Sequence, residues 1–291
     1  MTGSVVVGID GSGESLVAGA WAARQAELRE LPLRLVRAVS AAVSPPEADD
    51  VLERARGRLT EGRPGTEVSA VRAVAGTPSA ALLDVAGSAG LLVVGARGEG
   101  GFAGLAMGST ALAVAGAAPC PVAVVPRPPA GPDGRAGTAA SARRHDVAVG
   151  VRSREAARPV LSFAFQAARL HGTALVAAHA WALPDGSLRT APGVLEEDRA
   201  TWEDEEEQRL SDVLRRWRRE YPDVAVRHDV VLLHPARALV NISHRAGLLV
   251  LGRTDGRRVA DGRRVAERRL GPVAHAVLHH ACCPVVVVPH E

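Results

Sequence analysis

The feature that most limits what this chain can become is that it is written twice. Val5-Val6-Val7-Gly8-Ile9-Asp10 returns 142 residues later as Val147-Ala148-Val149-Gly150-Val151-Arg152. The same offset carries Trp21-Ala22-Ala23 onto Phe163-Ala164-Phe165, and Leu35 to Val39 onto Ala177 to Trp181. Farther along the offset is 157, where Pro78 falls on Pro235 and Leu91 to Gly95 fall on Leu248 to Gly252. It is 163 where Cys120-Pro121-Val122 meets Cys283-Pro284-Val285. The offset only grows, so the second copy carries two insertions and the chain is a tandem duplication. At about 150 residues per domain, 291 residues predict two domains, 1–126 and 146–291. Residues 127–145 are rich in proline, glycine and small residues that cannot build a core, and they read as a linker.

Within the first copy, short aliphatic runs stand at 4–9, 33–39, 68–74, 91–95 and 122–125. They are apolar throughout rather than alternating, as parallel strands covered on both faces require. The segments between them, roughly 13–30, 46–62, 77–89 and 108–117, are long enough for crossover helices. Ser12 and Thr77 are expected N-caps, with Pro78 in the first helical turn. Alternating β and α runs predict a doubly wound parallel α/β sheet. The second copy repeats the plan with a longer second helix, about 195–220. Its residues Leu195, Trp202, Leu210, Val213, Leu214, Trp217 and Tyr221 share one face, and the acidic run from Glu203 to Glu207 is expected to be a solvated face.

The ligand site of such a sheet lies beyond the strand carboxyl ends, where strand order reverses. The two loops to inspect are therefore Ile9-Asp10-Gly11-Ser12-Gly13 and the glycine-rich stretch from Gly95 to Thr110. Glycines let backbone amides approach an anion without side-chain clashes. Gly108-Ser109-Thr110 would bring amides and hydroxyls to a helix N-terminus, which attracts phosphate. Asp10 offers an acceptor suited to an amine or a ribose hydroxyl.

The spacing Gly95-x2-Gly98-x9-Gly108-Ser109, the opening Val-Gly-Ile-Asp-Gly-Ser and the late Cys-Pro-Val-Ala-Val-Val together resemble the ATP-binding members of the universal stress protein family. The resemblance covers both copies. It implies a five-stranded sheet of order 3-2-1-4-5 in each domain and pairing of the two sheets through their last strands. A tandem chain satisfies that pairing internally, with a homodimer as a further possibility. It also implies ATP, with or without Mg2+, in the first domain. Carried over by position, Ile9, Asp10 and Ala38 would line the adenine, and Gly95 and Ala96 would meet the ribose. Gly98, Gly108, Ser109 and Thr110 would hold phosphates, with Arg97 adding charge.

The second copy departs from that pattern. Arg152 replaces Asp10, and the loop after Gly252 is six residues longer, carries seven arginines and ends Gly271-Pro272. Proline lacks an amide that a phosphate would use, so no ordinary ATP site is expected there. A solvated loop is expected instead, with binding of another polyanion as the alternative. The chain contains no lysine, which excludes a standard P-loop. The first copy contains no histidine either, so its loops favour holding ATP over cleaving it. Three functions stay open: an ATP-binding regulatory protein, a slow ATPase, and a nucleotide-free module for an unknown protein partner.

Composition narrows the field further. A net charge of +3 with 3% aromatics argues against a nucleic-acid partner. No apolar run reaches the ~20 residues of a membrane span. Three cysteines, two of them adjacent, make no disulfide framework, and a cytoplasmic location is expected. Cys120 and Cys283 are read as small buried residues and His275, His279 and His280 as surface residues, rather than as a zinc site.

Overall fold

The computed structural model describes residues 3–39, 45–61, 65–98, 107–127, 146–152, 157–181, 192–260, 263–268 and 270–290. Of the stretch read as a linker, all but Arg127 lies outside the described residues. So do Glu99 to Ala106 of the glycine-rich loop.

The first copy contains β1 (Ser4–Gly8), α1 (Gly13–Arg29), β2 (Leu33–Val39), α2 (Pro45–Thr60), β3 (Val68–Val74), α3 (Pro78–Ala86), β4 (Ala89–Gly95), α4 (Ser109–Ala117) and β5 (Val122–Val125). The second contains β6 (Val147–Gly150), α5 (Arg158–His171), β7 (Leu175–Trp181), α6 (Pro192–Glu220), β8 (Val226–Leu232), α7 (Pro235–Ser243), β9 (Leu248–Ala260), β10 (Arg263–Arg268), α8 (Pro272–His280) and β11 (Val285–His290). Helix starts follow the expected chemistry. The Ser12 hydroxyl accepts the Ser15 amide at α1, and the Thr77 hydroxyl accepts the Ala80 amide at α3, with Pro78 in the first turn.

One sheet runs through the molecule in the order β3-β2-β1-β4-β5-β11-β9-β6-β7-β8. Each copy therefore has the expected order 3-2-1-4-5, its five strands on this path parallel to one another. The copies meet at the last strands, where β5 and β11 run antiparallel. Val122, Ala123 and Val124 face Val287, Val286 and Val285. Ala123 and Val286 are equivalent positions of the two copies, so the seam is self-complementary about them, as a local two-fold demands. Two apolar cores, one on each side of the sheet, both continue across the seam.

The long helix of the second copy begins at Pro192, three residues before the expected start. Leu210, Leu214, Trp217 and Tyr221 are buried, as their spacing predicts. The acidic face is not wholly solvated: Glu206 reaches inward, its Oε2 3.0 Å from Nε2 of buried His179.

The largest departure is β10. The arginine-rich insertion is not a plain loop, for β9 continues to Ala260 and pairs antiparallel with β10, Ala260 opposite Arg263. The sequence carries a signal for it. Arg257-Arg258-Val259-Ala260 is repeated as Arg263-Arg264-Val265-Ala266 around Asp261-Gly262, a pair that two-residue hairpin connections favour. Those two connecting residues lie outside the described set.

Beside the seam, α1 meets α5. Buried Gln25 holds the His171 ring, Nε2 to Nε2 at 3.1 Å, while the Gln25 carbonyl receives Arg29. The Arg29 guanidinium sits 5.5 Å over the Phe163 ring, and burial lowers its pKa to about 10. Burial, then the Arg29 and Arg24 charges, hold the His171 pKa down at about 4. An ordinary histidine takes up its proton near 6.5. The unfolded chain thus binds more protons than the folded one between those values. Stability from neutral His171 is complete above about pH 6.5 and is lost as pH falls from there through 4. The expected result is a urea midpoint that drops across that window, with a pH slope shallower by about one proton in His171→Gln. An identical slope in the variant would assign the loss to other groups.

Candidate functional site

Strand order reverses between β1 and β4, and the loops after these two strands open side by side. Gly11, at φ +98°, lets the chain turn sharply after β1. Asp10 is held on two sides. Its Oδ1 accepts the Ser12 amide at 2.9 Å, and Arg37 on β2 donates to its backbone carbonyl. Asp10 Oδ2 then occupies the space beside Gly98, where an added Cβ would lie 2.4 Å from that oxygen. Glycine at 98 is thus what lets the carboxylate settle against the second loop.

Gly95 ends β4 against the first turn of α1, and a Cβ there would stand 3.1 Å from the Glu14 and Arg97 carbonyl oxygens. Both are main-chain atoms that cannot swing away. Ala96 is buried, its amide donating to Val125 and its carbonyl accepting the Gly108 amide at 2.8 Å. It therefore shapes the loop with its peptide groups. Gly108 lies beside this turn, and α4 follows with Ser109 exposed and Thr110 half-buried. No side chain among the described residues caps α4. The amides of its first turn have no acceptor inside the helix, and the helix dipole adds positive potential there.

Two of the expected residues offer little side chain at these loops. Ile9 is buried, with its side chain in the core and its amide bonded to Val36, so only its backbone borders the site. Ala38 supplies a methyl near the end of β2, in register with Ala73. Arg97 does not stand alone. It pairs with Glu14 at 3.6 Å, and Arg127 reaches the same Glu14 oxygen at 3.5 Å. Two arginines thus share one carboxylate beside the two loops. Glu14, Arg37 and Arg127 are not legible as site residues in the sequence, because each is a surface-type residue in a helix start, a strand or a strand exit. Only the fold brings them together.

In the second copy the corresponding positions differ. Arg152 is exposed where the first copy has Asp10. A Cβ on Gly252, the counterpart of Gly95, would lie 2.7 Å from the His290 Nε2 and 3.0 Å from Val160. Arg253, the counterpart of Ala96, departs from the expectation of a solvated arginine loop, whereas the side chains of the other six arginines of that loop lie outside the described residues. Arg253 is 1% exposed and donates across the seam to the carbonyls of Gly116 and Ala118, the latter at 2.7 Å. Cys120 and Cys283 are buried, as expected, and burial pushes the Cys120 thiol up to about 11.

The fold and this loop pair define a tandem, doubly wound α/β protein with a candidate ligand site at the switch point of one half. The model of the universal stress protein family matches residues 1–126 and again 144–289. Universal stress protein Rv2005c of Mycobacterium tuberculosis is 33% identical over 97% of this chain and 96% of its own length. Universal stress protein Rv2623 of the same organism is also 33% identical, over 97% of this chain and 95% of its own. Among solved structures, a universal stress protein of Archaeoglobus fulgidus covers 99% of this chain and 98% of its own at 14% identity and TM-score 0.61, a likeness of fold. The chain belongs to the universal stress protein family, in its tandem two-domain form. No helix among the described residues is long and apolar enough to cross a membrane.

Proposed function

We propose that the first copy binds ATP and that the chain is an ATP-binding regulatory protein of the cytoplasm, its occupancy altering how the whole molecule meets a protein partner. The observation that carries this is the meeting of Asp10 with Gly98 beside the uncapped start of α4. One loop offers a carboxylate acceptor for an amine or ribose hydroxyl. The other offers backbone amides for phosphate at a helix N-terminus. The chemistry of the donor set fits a nucleotide: Ser109, Thr110 and the first-turn amides would hold phosphate oxygens, and Arg97 and Arg127 would add positive charge at the mouth. Mg2+ would accompany the phosphates. With neither lysine nor histidine in the first copy, and Arg97 paired to Glu14, the set suits retention of ATP more than its cleavage.

Calorimetric titration of Mg2+-ATP into nucleotide-free protein is the test. One site per chain is expected, with affinity at least about tenfold weaker in Asp10→Ala, a loss of about 1.4 kcal/mol or more, and unchanged in Arg152→Ala. Two sites, or equal binding by Asp10→Ala, would overturn the assignment to the first copy. No binding at all would leave the interaction module. Phosphate release that tracks the protein and vanishes in Asp10→Ala would make it a slow ATPase.

A further inference from the structure

The two ends of α4 belong to different halves of the molecule. Its N-terminus borders the candidate phosphate cradle of the first copy. Its C-terminal carbonyls, those of Gly116 and Ala118, accept the Arg253 guanidinium from β9 of the second copy. Leu270, just ahead of α8, lies beside Gly116, its Cγ 3.8 Å from where a Cβ on that glycine would stand. A guanidinium buried this deeply is costly unless it is hydrogen-bonded, and the orphan carbonyls of a helix end, with their partial negative charge, are suited to receive it. The helix between the two ends has nine residues, about 13 Å, too short to bend appreciably.

The contact has no mirror image. The local two-fold places Ala96 opposite Arg253, and His279 and Ala281 opposite Gly116 and Ala118. An alanine side chain has nothing to donate. The pinning runs one way only, from the copy without the cradle to the helix of the copy with it.

We infer that Arg253 is a positioning residue through which the second copy regulates the nucleotide site, an inference that rests on the proposed ATP site of the first copy. It holds α4 by its C-terminus and so fixes where the N-terminal amides stand. A phosphate gripped at one end and a guanidinium gripping the other stabilise the same placement of one rigid helix. By linkage, each binding event favours the other equally. The second copy acts as the anchor of its neighbour's cradle.

The test uses the full chain with Arg253→Met and Arg253→Lys, read by ATP titration and by amide hydrogen exchange. Without nucleotide, exchange in α4 should quicken in Arg253→Met. ATP affinity should fall about tenfold in Arg253→Met and by less in Arg253→Lys, which keeps the charge but loses the two-pronged fork. In the unaltered protein, ATP should slow exchange in residues 270–276 of the second copy as well as in α4. That remote protection should disappear in Arg253→Met, which a merely structural role would not bring about. If Arg253→Met does not fold, Arg253→Lys decides by the same readings. ATP binding that protects α4 but leaves 270–276 unchanged overturns the inference, as does undiminished affinity in the variants. If the unaltered protein binds no ATP, the proposed function falls and the coupling with it. Exchange in α4 then still reports whether Arg253 pins the helix.

Discussion

Val286→Asp is expected to cost this protein about 4–7 kcal/mol at pH 7, enough to take a typical domain close to its unfolding point. Val286 is 0% exposed and lies at the centre of the seam, opposite Ala123. Its neighbours on β5 and β11 are valines, and the core of one sheet face runs through it. A carboxylate placed in that apolar core would lack both water and a paired cation. It would remain protonated, its pKa raised by about 3–5 units, at 1.36 kcal/mol per unit. The lost valine packing adds to this. The sign follows from the raised pKa. The folded variant holds its proton above pH 4 while the unfolded chain releases it. The titration part of the deficit therefore amounts to about 4 kcal/mol at pH 7 and shrinks as pH falls toward 4. Urea midpoints of the two proteins at pH 7 and pH 4.5 check this. A pH-independent gap below about 1.5 kcal/mol would mean that the seam opens and hydrates at little cost.

Phe165→Ala is expected to destabilise the second half by about 3–5 kcal/mol. Phe165 is 0% exposed and its ring joins two others, 5.7 Å from the Trp217 centroid and 5.4 Å from that of Tyr221. Phe165 and Trp217 belong to α5 and α6, and Tyr221 directly follows α6, so the cluster is the joint between the two helices on one face of the sheet. Alanine would leave a cavity between flat rings that cannot collapse to fill it. The effect should be unequal between halves. Ala23, the counterpart of Phe165 in the first copy, brings no ring to such a cluster, and the only tryptophan in that copy is Trp21. Unfolding followed by tryptophan fluorescence should split into two steps, the earlier one carrying the signal of Trp217. A single unshifted transition would show that the rings are not what binds α5 to α6.

Most of the architecture is legible in the residues themselves, and the reason is local. Buried parallel strands are apolar on both faces, so runs such as Leu91 to Gly95 announce themselves. Thr77-Pro78 announces a helix start in the same way. The repeat then transfers each assignment from one copy to the other. Within the site, the proximity of Asp10 to Gly98 and of Gly108 to Ala96 follows from two loops leaving neighbouring strands. Other features depend on where a long side chain travels. Nothing in the residues around Arg253 tells whether its guanidinium enters water or seeks carbonyls of the other copy. Glu14 gathers Arg97 and Arg127 from two other loops, and no pattern in its own helix turn reports that. Position alone gives Ile9 to the ligand, but alternation along the chain turns its side chain into the core. The hairpin of β9 and β10 is legible in principle, from the doubled Arg-Arg-Val-Ala around Asp-Gly.

The pairing of Ala96 with Arg253 at equivalent positions has a consequence for how such a molecule arises. Two identical subunits joined about a two-fold must carry the same residue at both places. An arginine there would pin the facing helix on both sides, and an alanine would pin it on neither. Covalent fusion lifts that restriction, because each half then has its own codons. One half is free to specialise in holding a ligand and the other in holding the first, a division of labour closed to any homodimer of the same fold.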